Sequence, residues 1–227
     1  MILQIETATS SCSVALAKDG QILAFKEVNE RYLHAEVITL FIRELLDITG
    51  ATFEGLDAVA VSSGPGSYTG LRIGVSTAKG LCYALDKPLI AVETLEAMAF
   101  GVMAAPEIVA GCDLLCPMID ARRMEVFTAV FSNKGERVTP TSADIITNNS
   151  FQSLLNNNKI LFFGDGAAKC KAVLGINAHA GFLPGFVNSA VHLTQKAWGK
   201  FTKKEFEDVA YFEPYYLKDF IAGKKML

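Results

Sequence analysis

The sequence lacks a hydrophobic run long enough to cross a bilayer, and neither sign of charge is in large excess. Its apolar stretch at 97–105 is about half of the roughly 18 residues that indicate a transmembrane helix. The first residues have no basic flank and no leader-length apolar run, so we expect neither a signal peptide nor membrane association. The net charge of −3 argues against a chain that binds nucleic acid by itself.

The residue spacing of a metal site is also missing. The chain has three histidines, His34, His179 and His192, and none has a second histidine four residues further on. The five cysteines are scattered, and the pair Cys112 and Cys116 has no further cysteine or histidine close by, which disfavours zinc. We therefore predict free buried thiols, a cytoplasmic location and no metal centre.

What is present is a pattern that occurs twice. An apolar strand ends in a carboxylate at Glu6 and again at Asp120, 114 residues later. A hairpin signal follows each strand, first at Asp19-Gly20 and then at Asn133-Lys134-Gly135, where predicted strands at 125–131 and Arg137-Val138 flank the turn. With 227 residues the chain is long enough for two lobes with their own cores. The two carboxylates are 114 residues apart and the turn glycines, Gly20 and Gly135, are 115 apart. An internal duplication explains why these two separations are nearly equal.

Each hairpin is followed by alternating helices and strands, which predicts an α/β fold with two mixed sheets flanked by helices. In the first half the predicted elements are helices at 35–49, 69–85 and 94–104 and strands at 57–62 and 89–92. In the second half they are a strand at 160–163 and helices at 150–156, 167–174 and 188–201. We place the lobes at 1–104 and 105–210, and expect 211–227 to return to the first lobe.

The two carboxylates suggest a site, because ligands in open α/β sheets bind at the carboxyl ends of strands. A cleft between the lobes would set Glu6 opposite Asp120, where the pair could hold a metal–phosphate or orient a water molecule. The alternative is that each carboxylate only terminates its strand.

The segment from Gly64 to Gly74, GPGSYTGLRIG, follows a predicted strand and opens a helix. It is neither a Walker loop nor the dinucleotide fingerprint, because the residues that define those motifs are missing. Gly74 and Gly80 lie inside the helix, where glycine costs up to ~1 kcal/mol relative to alanine. We interpret that cost as a sign of close approach by another helix or backbone.

The preceding helix is more apolar than one buried face requires, since eight of the twelve residues from Val37 to Ile48 are apolar. We expect it to pack on its own sheet and also on a partner; burial within a single chain is the alternative. Arg72 and Lys79 share one face of the next helix. The predicted partner contacts are Val37, Ile38, Phe41, Leu45, Arg72, Ile73, Gly74, Val75 and Lys79.

Three segments together resemble one family over essentially the whole chain: ETATS from Glu6, the glycine segment, and IDARRMEV from Ile119. They are similar to the bacterial TsaB/TsaD family, which makes threonylcarbamoyladenosine in tRNA. The resemblance is to the branch without the transfer chemistry. It implies a duplicated two-lobed actin-like, sugar-kinase-like (ribonuclease H-like) fold. It also implies a catalytic paralogue, TsaD, as partner.

The resemblance also bears on chemistry. It places Thr94 and Met98 where the paralogue has two metal-binding histidines, and neither residue replaces an imidazole. It makes Gly164 and Gly166, with Glu6, Thr7 and Asp120, the candidates for a degenerate nucleotide cleft. A plain strand-to-helix turn is an equal alternative for the two glycines. We therefore predict no catalytic residue and no cofactor, or at most vestigial binding of ATP or ADP with magnesium.

The leading hypothesis is a non-catalytic scaffold that binds TsaD, with the ATPase subunit TsaE recruited to the complex and tRNA bound only through it. The isolated chain is expected to form a homodimer through the same surface. Three other hypotheses remain: a small-molecule phosphotransferase, a metallopeptidase and, on the glycine count alone, a dinucleotide-dependent enzyme.

Overall fold

The computed structural model describes residues 1–30 and 33–218, and it contains two β-sheets with helices on their faces. In the first half the elements are β1 (Ile2–Glu6), β2 (Ser11–Lys18), β3 (Gln21–Asn29), α1 (His34–Thr49), β4 (Ala58–Ser62), α2 (Tyr68–Leu85), β5 (Leu89–Val92) and α3 (Thr94–Met103). None of the helices within 1–30 and 33–218 is both long and apolar enough to span a bilayer.

The first sheet has the order β3-β2-β1-β4-β5. β1 is its central strand, antiparallel to β2 and parallel to β4, and all five of its residues are buried. β3 is an edge strand that alternates between exposed and partly buried residues, as a strand with one solvated face should. The predicted turn at Asp19-Gly20 is confirmed, and both residues have positive φ angles.

The second half repeats this plan. Its elements are α4 (Pro106–Val109), β6 (Leu114–Asp120), β7 (Glu125–Thr128), β8 (Phe131–Ser132), β9 (Ser142–Ile145), α5 (Gln152–Leu155), β10 (Ile160–Phe163), α6 (Ala167–Leu174), β11 (Ala180–Phe182), a 3-10 helix (Ala190–Leu193) and α7 (Thr194–Lys203). The strand order β9-β7-β6-β10-β11 matches that of the first sheet, with β6 in the place of β1. The duplicated α/β fold inferred from the sequence is thus confirmed.

Two strands of the second sheet differ from the prediction. The return strand was expected at Arg137-Val138, but Arg137 forms only an isolated bridge to Phe131. The regular strand β9 begins after Pro140, because proline lacks the N–H that a ladder needs. β11 was not predicted, since its three residues are too few to show a periodic pattern.

Helices α1 and α2 cover one face of the first sheet and share one core with it. Ile38 and Leu45 of α1 point into this core and are 2% and 0% exposed, so they cannot be surface contacts as predicted. Gly74 and Val75 of α2 are also buried. The apolar residues of α1 that do reach the surface are Leu40 and Ile48, at 54% and 66% exposure.

The last helices of each half pack against the sheet of the other half. α3 follows the first sheet in sequence, but Leu95, Met98 and Val102 pack in a core with the second sheet. α7 and the 3-10 helix follow the second sheet, but Leu193 and Ala197 pack against the first. The structure therefore moves 190–203 from the predicted lobe 105–210 to the first lobe.

The segment Asp208–Lys218, here called the strap, crosses α2 and reaches both lobes. Phe212 packs against the first core, and Leu217 against a core of the second sheet. Lys218 forms an ion pair with Glu125 of β7. The segment 211–218, predicted to return to the first lobe, therefore contacts both lobes, and the rest of the predicted segment 211–227 lies outside the described residues.

Candidate functional site

Glu6 ends β1 and is completely buried. Burial raises the pKa of its carboxyl from 4.5 to about 7, and the backbone N–H of Ala8, which donates to Oε1, opposes part of that rise. Oε2 has no hydrogen-bond partner among the described residues. This side chain is held in the protein interior, where it cannot act as an open ligand for a metal–phosphate.

Asp120 ends β6, at the position equivalent to Glu6, but its environment is different. It is exposed, and Lys169 of α6 forms an ion pair with it. The Lys169 ammonium also donates to the Glu125 carbonyl oxygen at 2.6 Å. Sequence reasoning missed this lysine, because it lies 49 residues from Asp120 and meets it only in the fold. Asp120 is therefore already neutralised by the chain itself.

The glycine segment packs against the backbone that follows β1. A Cβ on Gly66 would overlap the Ala8 carbonyl, and one on Gly70 would overlap the Thr7 carbonyl. A Cβ on Gly74 would overlap the Thr7 hydroxyl, and the Ser67 N–H donates to the Ala8 oxygen at 2.7 Å. The close approach predicted from glycine inside the helix is thus explained at Gly74 by this chain's own Thr7.

The second glycine turn has the same use. It follows β10, the counterpart of β4, and Gly164 has a φ of +104°. A Cβ on Gly164 would overlap the Met118 carbonyl, and one on Gly166 would lie 3.0 Å from the Asp120 nitrogen. These contacts are those of a plain strand-to-helix turn, one of the two alternatives considered for these glycines.

A small cavity remains between the lobes. Its volume is about 50 Å³, and the lining residues are Thr9, Ser10, Asn29, Met98, Gly164, Asp165, Phe186, Val187 and Asn188. Ligand pockets commonly enclose about 300–1,000 Å³, so this space suits a few water molecules. Neither Glu6 nor Asp120 lines it. In this conformation the residues of the cleft do not fit a nucleotide.

Thr94 and Met98, the positions that the resemblance sets against two metal-binding histidines, have structural contacts here. The buried Thr94 hydroxyl is 2.7 Å from the Ser62 hydroxyl and accepts the Gly64 N–H. Met98 is 1% exposed and packs in the core beneath Gly164. Across 1–30 and 33–218, the structure brings no three His, Cys, Asp or Glu side chains together as a possible metal site.

The outer surface of α1 and α2 differs from the cleft because it is open. Gly80 lies in the middle of α2, and a Cβ there would meet no atom of the described residues within 4 Å, its own helix turn aside. Gly80 and Leu40 lie opposite the buried stripes of their helices. A helix face with an exposed glycine, in a layer that also exposes a leucine, is suited to close contact with another helix.

The other predicted contact residues divide between this surface and the strap. Val37, Phe41 and Ile73 are partly exposed at the edges of the two helices. Arg72 is exposed, its Nε donates to the Tyr216 hydroxyl at 3.3 Å, and this bond raises the pKa of the guanidinium. The Lys79 ammonium donates to the Ala210 and Phe212 carbonyls at 3.1 and 2.8 Å, so it binds the strap.

Two sheets of identical strand order, each with a glycine turn against its central strand, define the two-lobed actin-like and sugar-kinase-like class. A solved structure of that class, the activator of 2-hydroxyisocaproyl-CoA dehydratase from Clostridium difficile, is similar with a TM-score of 0.53 and 9% identity, covering 91% of this chain and 98% of that one. At this identity the likeness concerns the fold alone.

The family follows from a closer match. The family model described as TsaD, tRNA N6-adenosine threonylcarbamoyltransferase, matches residues 29–212, and the chain belongs to this family. YeaZ from Pseudomonas aeruginosa superposes with a TM-score of 0.80 and 26% identity over 95% of this chain and 99% of that one.

Relatives by sequence carry the name tRNA threonylcarbamoyladenosine biosynthesis protein TsaB. The Haemophilus influenzae protein is 29% identical over 99% of this chain and 96% of its own length. The Escherichia coli protein is 38% identical over 57% of this chain, and the match spans about half, 54%, of its own length. The resemblance to the TsaB (YeaZ) branch is confirmed.

Proposed function

We propose that this chain is the TsaB subunit of the machinery that forms threonylcarbamoyladenosine in tRNA, and that it binds the threonylcarbamoyltransferase TsaD through the outer face of α1 and α2. The relatives named TsaB support a role in the biosynthesis of threonylcarbamoyladenosine in tRNA. The partner is inferred from the family, whose model is described by the transferase itself. Because the fold is shared, two helices of the paralogue can meet the same two helices here in a four-helix contact.

The observation that carries the choice of surface is an isolated glycine, Gly80, on the outward side of the helix layer that also exposes Leu40. A glycine in a helix interior costs up to ~1 kcal/mol, and no contact within the described residues of this chain requires one there. A partner helix that packs closely on α2 would require it. The exposed Leu40 of α1 adds apolar surface at the same layer of helices.

The role we propose is non-catalytic. Three observations support this role: Glu6 is buried, Asp120 is paired with Lys169, and the cavity between the lobes measures only about 50 Å³. The paralogue would supply the chemistry, TsaE would join the complex, and tRNA would bind only to the assembly. We place the protein in the cytoplasm because its five cysteines are free. The isolated chain would form a homodimer through the same face.

The test of this proposal is Gly80→Leu. The substitution favours the helix, so the variant should fold at least as well as the wild type. An added side chain in a close helix contact should cost about 1–3 kcal/mol, or roughly 10- to 100-fold in affinity for purified TsaD. Binding is measured by titration calorimetry, and homodimer formation by sedimentation.

Gly199→Leu is the matched control. Gly199 is a helical glycine of α7, and a Cβ there also meets nothing within 4 Å among the described residues. It lies on the opposite side of the first sheet. The control should bind TsaD like the wild type, and equal affinity of both variants would refute the proposed surface.

A further inference from the structure

The tyrosines of this chain are unevenly distributed. Five of the six lie on α2 or on the strap: Tyr68, Tyr83, Tyr211, Tyr215 and Tyr216. The sixth, Tyr32, is outside the described residues. Tyr83 and Tyr211 are the most exposed large apolar side chains among those described, at 87% and 84%. Tyrosine combines a large rigid ring with a hydroxyl, and it is enriched among the residues that dominate protein interfaces.

Lys79 links α2, the helix that carries Tyr83, to the part of the strap that carries Tyr211. It lies one helical turn before Tyr83, and its ammonium binds the carbonyls of Ala210 and Phe212, the residues on either side of Tyr211. The Asp208 carboxylate accepts the N–H groups of Ala210 and Tyr211, which fixes the turn that carries Tyr211. The backbone of the strap is thus held against α2 at Tyr211, and its anchor Lys79 lies one helical turn before Tyr83.

The strap is seated firmly at its other end as well. The Tyr215 N–H donates to the Ser63 oxygen at 2.7 Å, and a Cβ on Gly64 would lie 2.6 Å from the Tyr215 carbonyl oxygen. The ring of Tyr216 is 4.8 Å from that of Tyr68. The first glycine of the glycine segment therefore makes room for the strap, and the strap belongs to the same surface as α2.

Resting on the function proposed above, we infer that Tyr83 and Tyr211 form a second contact for TsaD, and that Lys79 positions it. Tyr83 is three residues from Gly80, so the two are neighbours on the helix surface. A partner helix that covers Gly80 passes beside Tyr83 and meets the strap at Tyr211. The partner surface is then built from α1, α2 and the strap, and the strap supplies its aromatic edge.

The experiment measures the affinity of the full-length chain for purified TsaD. Tyr83→Ala and Tyr211→Ala should each weaken binding about 10-fold. Lys79→Met should weaken binding as much as Tyr211→Ala does. The variant that carries both Lys79→Met and Tyr211→Ala should bind TsaD no more weakly than the weaker-binding single variant, because both changes remove the same contact. Lys79→Arg should restore binding, since a guanidinium can also donate to two carbonyls.

Ile176→Ala is the control, because Ile176 is 77% exposed on the second lobe, away from α2. It should leave the affinity unchanged. Wild-type affinity of both tyrosine variants, with Gly80→Leu still defective, would overturn this inference and leave the proposed function intact. Wild-type affinity of all three would overturn both. Tighter binding of Lys79→Met or Tyr211→Ala would show that the strap covers the surface, which also contradicts the inference.

Discussion

Gly70 and Gly80 lie ten residues apart on the same helix, yet they meet opposite surroundings. Gly70 is buried against the Thr7 carbonyl, where no side chain could fit, whereas Gly80 is exposed with nothing near it. The first glycine serves the fold of this chain. The second is unexplained until another molecule is brought to it.

The comparison extends to the two surfaces that these glycines represent. In the cleft, four glycines of two equivalent turns lie against the backbone at the ends of β1 and β6: Gly66, Gly70, Gly164 and Gly166. The space beside each of these glycines is filled by the chain's own backbone. On the outer face Leu40, Gly80 and Tyr83 stay exposed. A glycine pattern in sequence thus indicates close approach, and only the structure tells what approaches.

The largest effect is expected where inward and outward leucines of α1 are exchanged for glutamate. Leu45→Glu would bury an unpaired charge at a position of 0% exposure, which should cost more than about 4 kcal/mol and unfold the chain. Leu40→Glu, at 54% exposure, should leave the melting transition within a few degrees of wild type and weaken TsaD binding about 10-fold or more. Circular dichroism and calorimetry measure the two quantities.

Wild-type stability of Leu45→Glu would contradict the packing of α1 described above. Unchanged affinity of Leu40→Glu would remove α1 from the proposed surface and leave α2 alone.

The comparison of Gly70 with Gly80 is tested by replacing each of them, in turn, with alanine. Gly70→Ala should destabilise the fold by roughly 3 kcal/mol, because the Thr7 carbonyl is backbone and cannot move aside. Gly80→Ala should stabilise it by up to ~1 kcal/mol, since alanine is the better helix former and the added methyl meets nothing. Urea unfolding gives both values, and the same sign for the two variants would refute the contrast.

Much of this fold follows from the sequence, because buried strands and hairpin turns leave local signals. The run ILQIE gives β1 its bounds, and Asp19-Gly20 gives the first hairpin. The exchange of α3 and α7 leaves no such signal. α3 is apolar on nearly every side, so its pattern indicates that the helix is buried but does not indicate which of the two sheets it packs against.

The candidate site was harder to predict for the same reason. Eight apolar residues in twelve make α1 apolar over most of its circumference, and the pattern therefore does not distinguish inward Leu45 from outward Leu40. Lys79 was predicted to contact a partner, and its bonds to the strap were missed because the acceptors are backbone carbonyls 131 and 133 residues away. Main-chain acceptors carry no sequence signature.

The burial of Glu6 in the cleft can be tested by the pH dependence of the protein's stability. Because burial raises its pKa to about 7, the folded state keeps a proton that the unfolded state releases above about pH 4.5. The stability contributed by this group therefore falls as the pH rises from 4.5 to 7. Glu6→Gln does not titrate, so its stability relative to wild type should improve by about 3 kcal/mol between pH 4 and pH 8. Urea unfolding across that range measures the gap, and a constant gap would place Glu6 in contact with solvent.

The smallest expected effect is the response of the cleft to nucleotide. With about 50 Å³ between the lobes and Lys169 on Asp120, titration of ATP with magnesium into the isolated chain should give no saturable heat up to about 1 mM. Adding TsaD should produce binding that Gly166→Ala of this chain leaves unchanged, because the nucleotide would then occupy the paralogue. Saturable binding to the isolated chain, weakened by Lys169→Met, would instead favour the phosphotransferase hypothesis. It would also show that the cleft opens beyond the conformation in which these glycines pack against β1 and β6.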